Sequence, residues 1–286
     1  MANPVRFLII DGYAKEGRDE LIVNKAGCAG ELYADMFRYN LPGCECDILF
    51  PSDPGATLEP GVSLEQYDGI GWTGCSLTVY DDKDERVTRQ LELARQAYEK
   101  GVPSFGTCWG AQVAIVAAGG IVRANPRGRE MGLARKIMLT PEGRAHPFYV
   151  GRSSVFDGFT SHLDEVTHLP PGALRLSTNA FTNVQSVAVD HKRGSFWALQ
   201  YHPEYSLYNM ARLVFCRIDK LITGGFFKTR DDALDYVAKL ETLHAHPERK
   251  DLAWLLGIDQ DILDQNVRQT EVKNWIERLV LPHIRR

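Results

Sequence analysis

The residue with the most to offer chemically is the cysteine of Gly106-Thr107-Cys108-Trp109-Gly110. Glycines two residues to either side suit a sharp strand-to-helix turn, where the two backbones come too close for a Cβ and the turn presents the sulfur. At the start of a helix the free N–H groups and the dipole favour a thiolate. Taken alone, the five residues fit a tight junction around a small buried side chain equally well, so partners must decide. A cysteine nucleophile needs a histidine to exchange protons with substrate and water, and a carboxylate to orient that histidine. Gln200-Tyr201-His202-Pro203-Glu204 supplies both after an apolar, strand-like run. Proline holds its predecessor extended, and side chains two apart in an extended segment share a face, so His202 and Glu204 are expected to point into one site.

Two other histidines share this spacing. His246-Pro247-Glu248 repeats the tripeptide, but it follows a polar helix and precedes Arg249-Lys250-Asp251, the setting of a solvated loop. His162 and Asp164, in Phe159-Thr160-Ser161-His162-Leu163-Asp164, lack the proline and the apolar strand. They rank second as the base and first as accessory, substrate-facing residues. Cys28, Cys44, Cys46 and Cys216 sit at no elbow and read as buried or incidental thiols. The six cysteines form no C-x-x-C pair, and Cys44-Glu45-Cys46 lacks zinc-ligand spacing, so reduced thiols and no structural metal are expected.

Positioning these side chains falls to an α/β framework. Short apolar runs at residues 5–11, 46–51, 67–74 and 102–105 read as strands, while residues 82–101 and 110–118 have helical character. Strands alternating with helices predict a mostly parallel sheet with helices on both faces. Between about residues 121 and 202 the pattern turns strand-like (132–140, 173–179, 184–190, 195–203), which predicts further strands of the same fold. A helix over 206–223 ends at Gly224-Gly225, dividing the chain into residues 1–225 and a helical extension, 226–286, docked on it. Thr229 and Asp232 have capping-box spacing, and the helices carrying Trp254 and Trp275 are expected to bury aromatic faces against the main body.

A chain of 286 residues with 44% hydrophobic content can build a large core, and a net charge of −4 gives no reason to expect nucleic acid or an anionic membrane as partner. A small soluble ligand fits better. The apolar run before Asp11-Gly12 is too short for a signal segment, and no later stretch reaches the roughly 20 apolar residues of a membrane span, so a cytoplasmic location is expected.

With G-T-C-W-G-A-Q, Q-Y-H-P-E and S-H-L-D-E-V-T-H-L-P-P-G-A in this order, the chain resembles class I glutamine amidotransferases over roughly residues 5–222, particularly glutaminase domains like that of GMP synthetase. The resemblance implies flavodoxin-like layering, with Cys108 as nucleophile, His202 as general base and acid, and Glu204 as its orienting carboxylate. It implies that Gln112 contacts the bound glutamine, and that Thr73-Gly74-Cys75 occupies the family's oxyanion loop. That glycine-rich turn usually ends in proline, and here it reads Thr-Gly-Cys-Ser. Backbone N–H groups serve with any side chain, so Gly74 or Cys75 together with Trp109 can still bind an oxyanion.

The implied reaction is hydrolysis of the glutamine side-chain amide through a γ-glutamyl thioester, which needs no metal or organic cofactor. The chain has no glycine-rich phosphate loop, so ATP-dependent amination would need a separate synthetase as partner. A γ-glutamyl peptidase using the same triad is the alternative, and a noncatalytic regulatory module is a lesser one. Residues 226–286 could mediate an oligomer contact, cover the site or dock a synthetase, and the sequence does not choose.

Overall fold

The computed structural model describes residues 3–284. The first half alternates strands and helices: β1 (Arg6–Ile10), α1 (Lys15–Val23), α2 (Ala29–Asn40), β2 (Glu45–Leu49), β3 (Gly69–Trp72), α3 (Glu85–Lys100), β4 (Ser104–Thr107) and α4 (Trp109–Ala117). Then come β5 (Ile121–Ala124), β6 (Glu130–Leu139), α5 (Pro141–Ala145), β7 (Val155–His162), β8 (Asp164–His168), β9 (Ala173–Thr178), β10 (Ser186–His191) and β11 (Gly194–Leu199). Helices α6 (Leu207–Cys216), α7 (Ile218–Thr223), α8 (Arg230–Ala245), α9 (Lys250–Leu256), α10 (Gln260–Leu263), α11 (Gln265–Arg268), α12 (Thr270–Trp275) and α13 (Leu281–Ile284) follow.

A nine-stranded sheet in the order β2-β1-β3-β4-β11-β10-β9-β6-β7 forms the centre, with β5 and β8 as a separate ribbon. From β2 to β11 neighbouring strands are parallel, and from β11 outward to β7 they are antiparallel. The parallel half brings the carboxyl ends of β3, β4 and β11 to one edge, with Trp72 opposite Gly106 and Thr107 opposite Leu199. Loops leaving that edge are where open α/β sheets bind ligands.

Local sequence explains the flanking helices. Asp84 caps α3 by accepting the Arg86 N–H at 2.9 Å, Val87, Leu91, Ala94 and Tyr98 line its buried face, and Gly101 closes it in the left-handed conformation. The pattern does not predict α1, which leaves Ile22 and Val23 in solvent, so its apolar residues do not mark a buried stripe. The helix expected over 206–223 is two helices, broken at Arg217 (φ −114°, ψ 16°).

Beyond Gly225 the chain packs closely on the rest. The Thr229–Asp232 capping box forms as expected, and Val237, Leu240 and Leu243 of α8 join Met210, Leu213 and Val214 of α6. Trp275 is fully buried, its ring 5.6, 5.4 and 5.7 Å from those of Phe7, Phe37 and Phe105. A buried pair, Arg152 Nε to Glu271 Oε1 at 3.3 Å, adds a polar tie. Trp254 corrects the expectation for its helix: it is 85% exposed on α9, which has no buried residue. Among the described residues, no helix is long and apolar enough to cross a membrane.

Candidate active site

Cys108 sits between β4 and α4 with φ 51° and ψ −101°, a conformation that L-residues seldom adopt. It is held from both sides: its N–H donates to Leu199 O at 2.8 Å, and its carbonyl accepts the first helical bond, from Gln112 N–H at 3.1 Å. The preceding N–H groups of α4 have no in-helix acceptor. Gly110 is required by proximity, since a Cβ there would lie 2.4 Å from the carbonyl oxygen of Trp72. The glycine spacing in the sequence thus reports a real strand-to-helix contact.

His202 reaches the same place from the end of β11, its N–H donating to Phe159 O at 2.8 Å. Its Nδ1–H donates to Glu204 Oε1 at 2.7 Å. The expected extended segment is not what pairs them. Pro203 and Glu204 lie in a turn, Tyr205 N–H approaching His202 O at 3.4 Å, and the turn rather than alternation brings the carboxylate back to the ring. Thr107 Oγ1 also donates to Glu204 Oε1, at 3.1 Å, and the Tyr33 hydroxyl bridges Thr107 Oγ1 and Trp72 O. Tyr205 stacks on the imidazole, centroids 4.3 Å apart and planes 10° from parallel. Burial opposes charge on His202, but the field of Glu204, its 2.7 Å hydrogen bond and the nearby Cys108 sulfur outweigh it and raise the pKa to about 10. An imidazolium between a thiol group and a carboxylate can carry a proton to a departing nitrogen.

The loop after β3 packs directly over this pair. A Cβ on Gly74 would come 2.8 Å from His202 Cε1 and 3.5 Å from Cys108 Cβ, so only glycine lets the loop approach. Cys75 beside it accepts the Leu77 N–H at Sγ (3.4 Å), and burial raises its pKa well above the ordinary value. The Trp109 side chain is turned away, its indole N–H donating to Gln90 Oε1 at 2.7 Å, so only its backbone is available to a ligand near Cys108.

A cavity of about 240 Å³ opens over Cys108 and His202, and Gly74, Cys75, Gln112, His162 and Asp164 also line it. Gln112 is buried in this wall rather than on a solvent face. His162 has both ring nitrogens occupied, Nδ1 at 2.8 Å from Asp164 O and Nε2 at 2.8 Å from Glu130 Oε2. That leaves no nitrogen to serve Cys108, which separates His162 from His202. Asp164 accepts the Tyr80 hydroxyl at 3.2 Å, and burial raises its pKa against that bond. His246 and Glu248, at 3.4 Å, are solvated. Sequence reasoning does not find Arg129, Ser161, Tyr205 and Arg217, which also line the cavity. The aromatic directly after His-Pro-Glu was a signal for Tyr205, and no local pattern marked the others. Among the described residues, no group of three or more His, Cys, Asp or Glu side chains could hold a metal ion.

A family model described as "Glutamine amidotransferase class-I" matches residues 43–219. The chain is 33% identical to a γ-glutamyl-L-1-hydroxyisopropylamide hydrolase of a Pseudomonas species, over 99% of this chain and 95% of the relative. It is 31% identical to the glutamine-hydrolysing GMP synthase of a Nitratiruptor species, over 58% of this chain but 32% of the synthase. Among solved structures, a glutamine amidotransferase from Thermotoga maritima superimposes with a TM-score of 0.67 at 21% identity, covering 98% of this chain and 99% of that one, a likeness of fold. With a family match over more than half its length and a relative similar over nearly all of it, the chain belongs to the class I glutamine amidotransferases.

Proposed function

We propose that this protein hydrolyses the amide bond of γ-glutamyl amides, with Cys108 as nucleophile, His202 as proton carrier and Glu204 as the carboxylate that orients it. The observation carrying this reading is their convergence: Cys108 at its positive-φ elbow and His202, backed by Glu204 at 2.7 Å, form the floor of one cavity. The Cys108 thiolate adds to the γ-carbonyl carbon, and the carbonyl electron pair moves to oxygen. That oxyanion meets the N–H of Trp109 and of Gly74 or Cys75. As the C–N bond breaks, the His202 imidazolium gives its proton to the nitrogen and the amine departs. His202 then takes a proton from water, whose oxygen attacks the γ-glutamyl thioester, and glutamate leaves as the thiolate is restored. Gln112, His162 and Asp164 would line the bound γ-glutamyl group.

The preferred substrate is an amide whose leaving amine carries carbon. Similarity to the Pseudomonas hydrolase runs through both the sheet and the C-terminal helices, and the cavity extends from Cys108 to Gly17 and Glu20 of α1 and Leu221 of α7. Hydrolysis of glutamine itself, with ammonia passed to a synthetase partner, is the second reading, favoured by the similarity to GMP synthase. Glutamate release by the purified chain from γ-glutamylethylamide and from L-glutamine separates them. Turnover of the ethylamide at higher kcat/KM, lost in Cys108→Ala, is expected. Selectivity for glutamine would favour the second reading, and turnover surviving in Cys108→Ala would refute the mechanism.

A further inference from the structure

Two arginines face the cavity without a carboxylate. Arg217, at the break between α6 and α7, donates from Nη1 to Ser161 Oγ at 2.8 Å and from Nη2 to the Tyr13 hydroxyl at 3.4 Å. Both are neutral hydroxyls, Tyr13 being pushed by burial to about 12. Arg129, immediately before β6, has neither a side-chain hydrogen bond nor an ion pair among the described residues. Asp164 acts on Arg129 only from beyond ion-pair distance and is already engaged by Tyr80. Burial, and then the field of Arg217, lower the Arg129 pKa, so the two guanidinium groups feel each other.

Of the three most buried arginines elsewhere, Arg268 donates to the backbone carbonyl of Ile262, and the other two meet carboxylates. Arg18 meets Asp53 at 2.6 Å and Arg152 meets Glu271 at 3.3 Å. Two like charges sharing a partly desolvated wall with no carboxylate at ion-pair distance are costly unless a ligand completes them. The planar fork of guanidinium suits a carboxylate, which can accept two N–H bonds from each.

We propose that Arg129 and Arg217 together form a carboxylate-binding site for the substrate in the cavity above Cys108. This rests on the γ-glutamyl reading, and it extends that reading to two residues that no motif marks. The carboxylate has two sources: the α-carboxylate of the γ-glutamyl group, or a carboxylate on the leaving amine, as in a γ-glutamyl amino acid.

The test is calorimetric titration of full-length Cys108→Ala with γ-glutamylglycine, which carries both carboxylates, and with γ-glutamylmethylamide, which carries only the α-carboxylate. Without the thiol, neither ligand turns over, and an effect of the arginines on the thiolate cannot contribute. Adding Arg129→Gln is expected to weaken γ-glutamylglycine about tenfold or more, the worth of a charge-assisted hydrogen bond. Adding Arg217→Lys, which keeps the charge and loses the fork, should weaken it less. Equal weakening of the methylamide assigns the α-carboxylate, and weakening confined to γ-glutamylglycine assigns the leaving group. Unchanged Kd values for both ligands in folded variants, or no binding of either ligand to Cys108→Ala, would overturn the proposal. Failure of the nucleophile assignment is read separately, as cleavage of either ligand by Cys108→Ala.

Discussion

His202 shows how one neighbour fixes a side chain's chemistry. Its value of about 10 lies above the ordinary 6.5 because Glu204 and Cys108 together outweigh the burial that opposes charge. A raised folded-state pKa means that the protonated ring adds stability that is complete below about 6.5 and lost as the pH climbs through about 10. Glu204→Gln keeps the shape and removes the charge. The variant should be less stable than the parent, by a margin greatest at and below pH 6.5 and narrowing toward pH 10 in thermal melts. Its kcat should fall about 10²- to 10⁴-fold, with the alkaline limb of the rate profile moved to lower pH. An unmoved limb would show that Glu204 is not what holds the proton. The convergence of Cys108, His202 and Glu204 was legible because an elbow and a His-Pro-Glu tripeptide are local patterns, although the turn that pairs the last two was read as an extended segment. Arg129 and Arg217 were not legible, since their significance lies in the lack of a carboxylate at ion-pair distance, which no spacing encodes.

At the scale of elements, two glycines do different work and predict different failures. Gly110 lets α4 rest on the end of β3, and the Cβ of an alanine would meet backbone, Trp72 O at 2.4 Å, which cannot yield without moving the helix. Gly110→Ala should therefore cost about 1–3 kcal/mol or more in thermal unfolding, along with activity. Gly74→Ala meets the ring of His202 at 2.8 Å, a side chain that can shift. That variant should melt close to the parent yet lose about 10²-fold in kcat, because a misplacement of about 1 Å suffices. Equal loss of stability in both would contradict this division. β6, β9, β10, β11 and the helix before Gly101 were legible as strand-like and helix-periodic runs, whereas the ribbon of β5 and β8 was not. β7 was not, because Val155–His162 is almost continuously buried and contains Gly158, so no alternation marks it. The break at Arg217 was hidden because both flanking segments are helical.

Across the whole molecule, the division at Gly225 proposed from the sequence meets a core that ignores it. Trp275 fills the space between Phe7, Phe37 and Phe105, and Gly69 leaves room for its ring. Trp275→Ala should cost about 3–5 kcal/mol, and removal of residues 226–286 should yield insoluble or unfolded protein. A soluble, active truncated chain would show that the sheet closes its own core. That the tail is helical was legible, but which of its tryptophans enters the core was not: Trp254 and Trp275 lie in similar amphipathic surroundings, and only the partner surface tells them apart. The position of Trp275 also sets an order of events during synthesis. The strand carrying Phe7 leaves the ribosome long before the indole that covers it exists, so a nascent chain must keep an aromatic face unsatisfied until translation has passed residue 275. Chaperone dependence and aggregation of stalled chains should therefore track how far translation has progressed toward that residue.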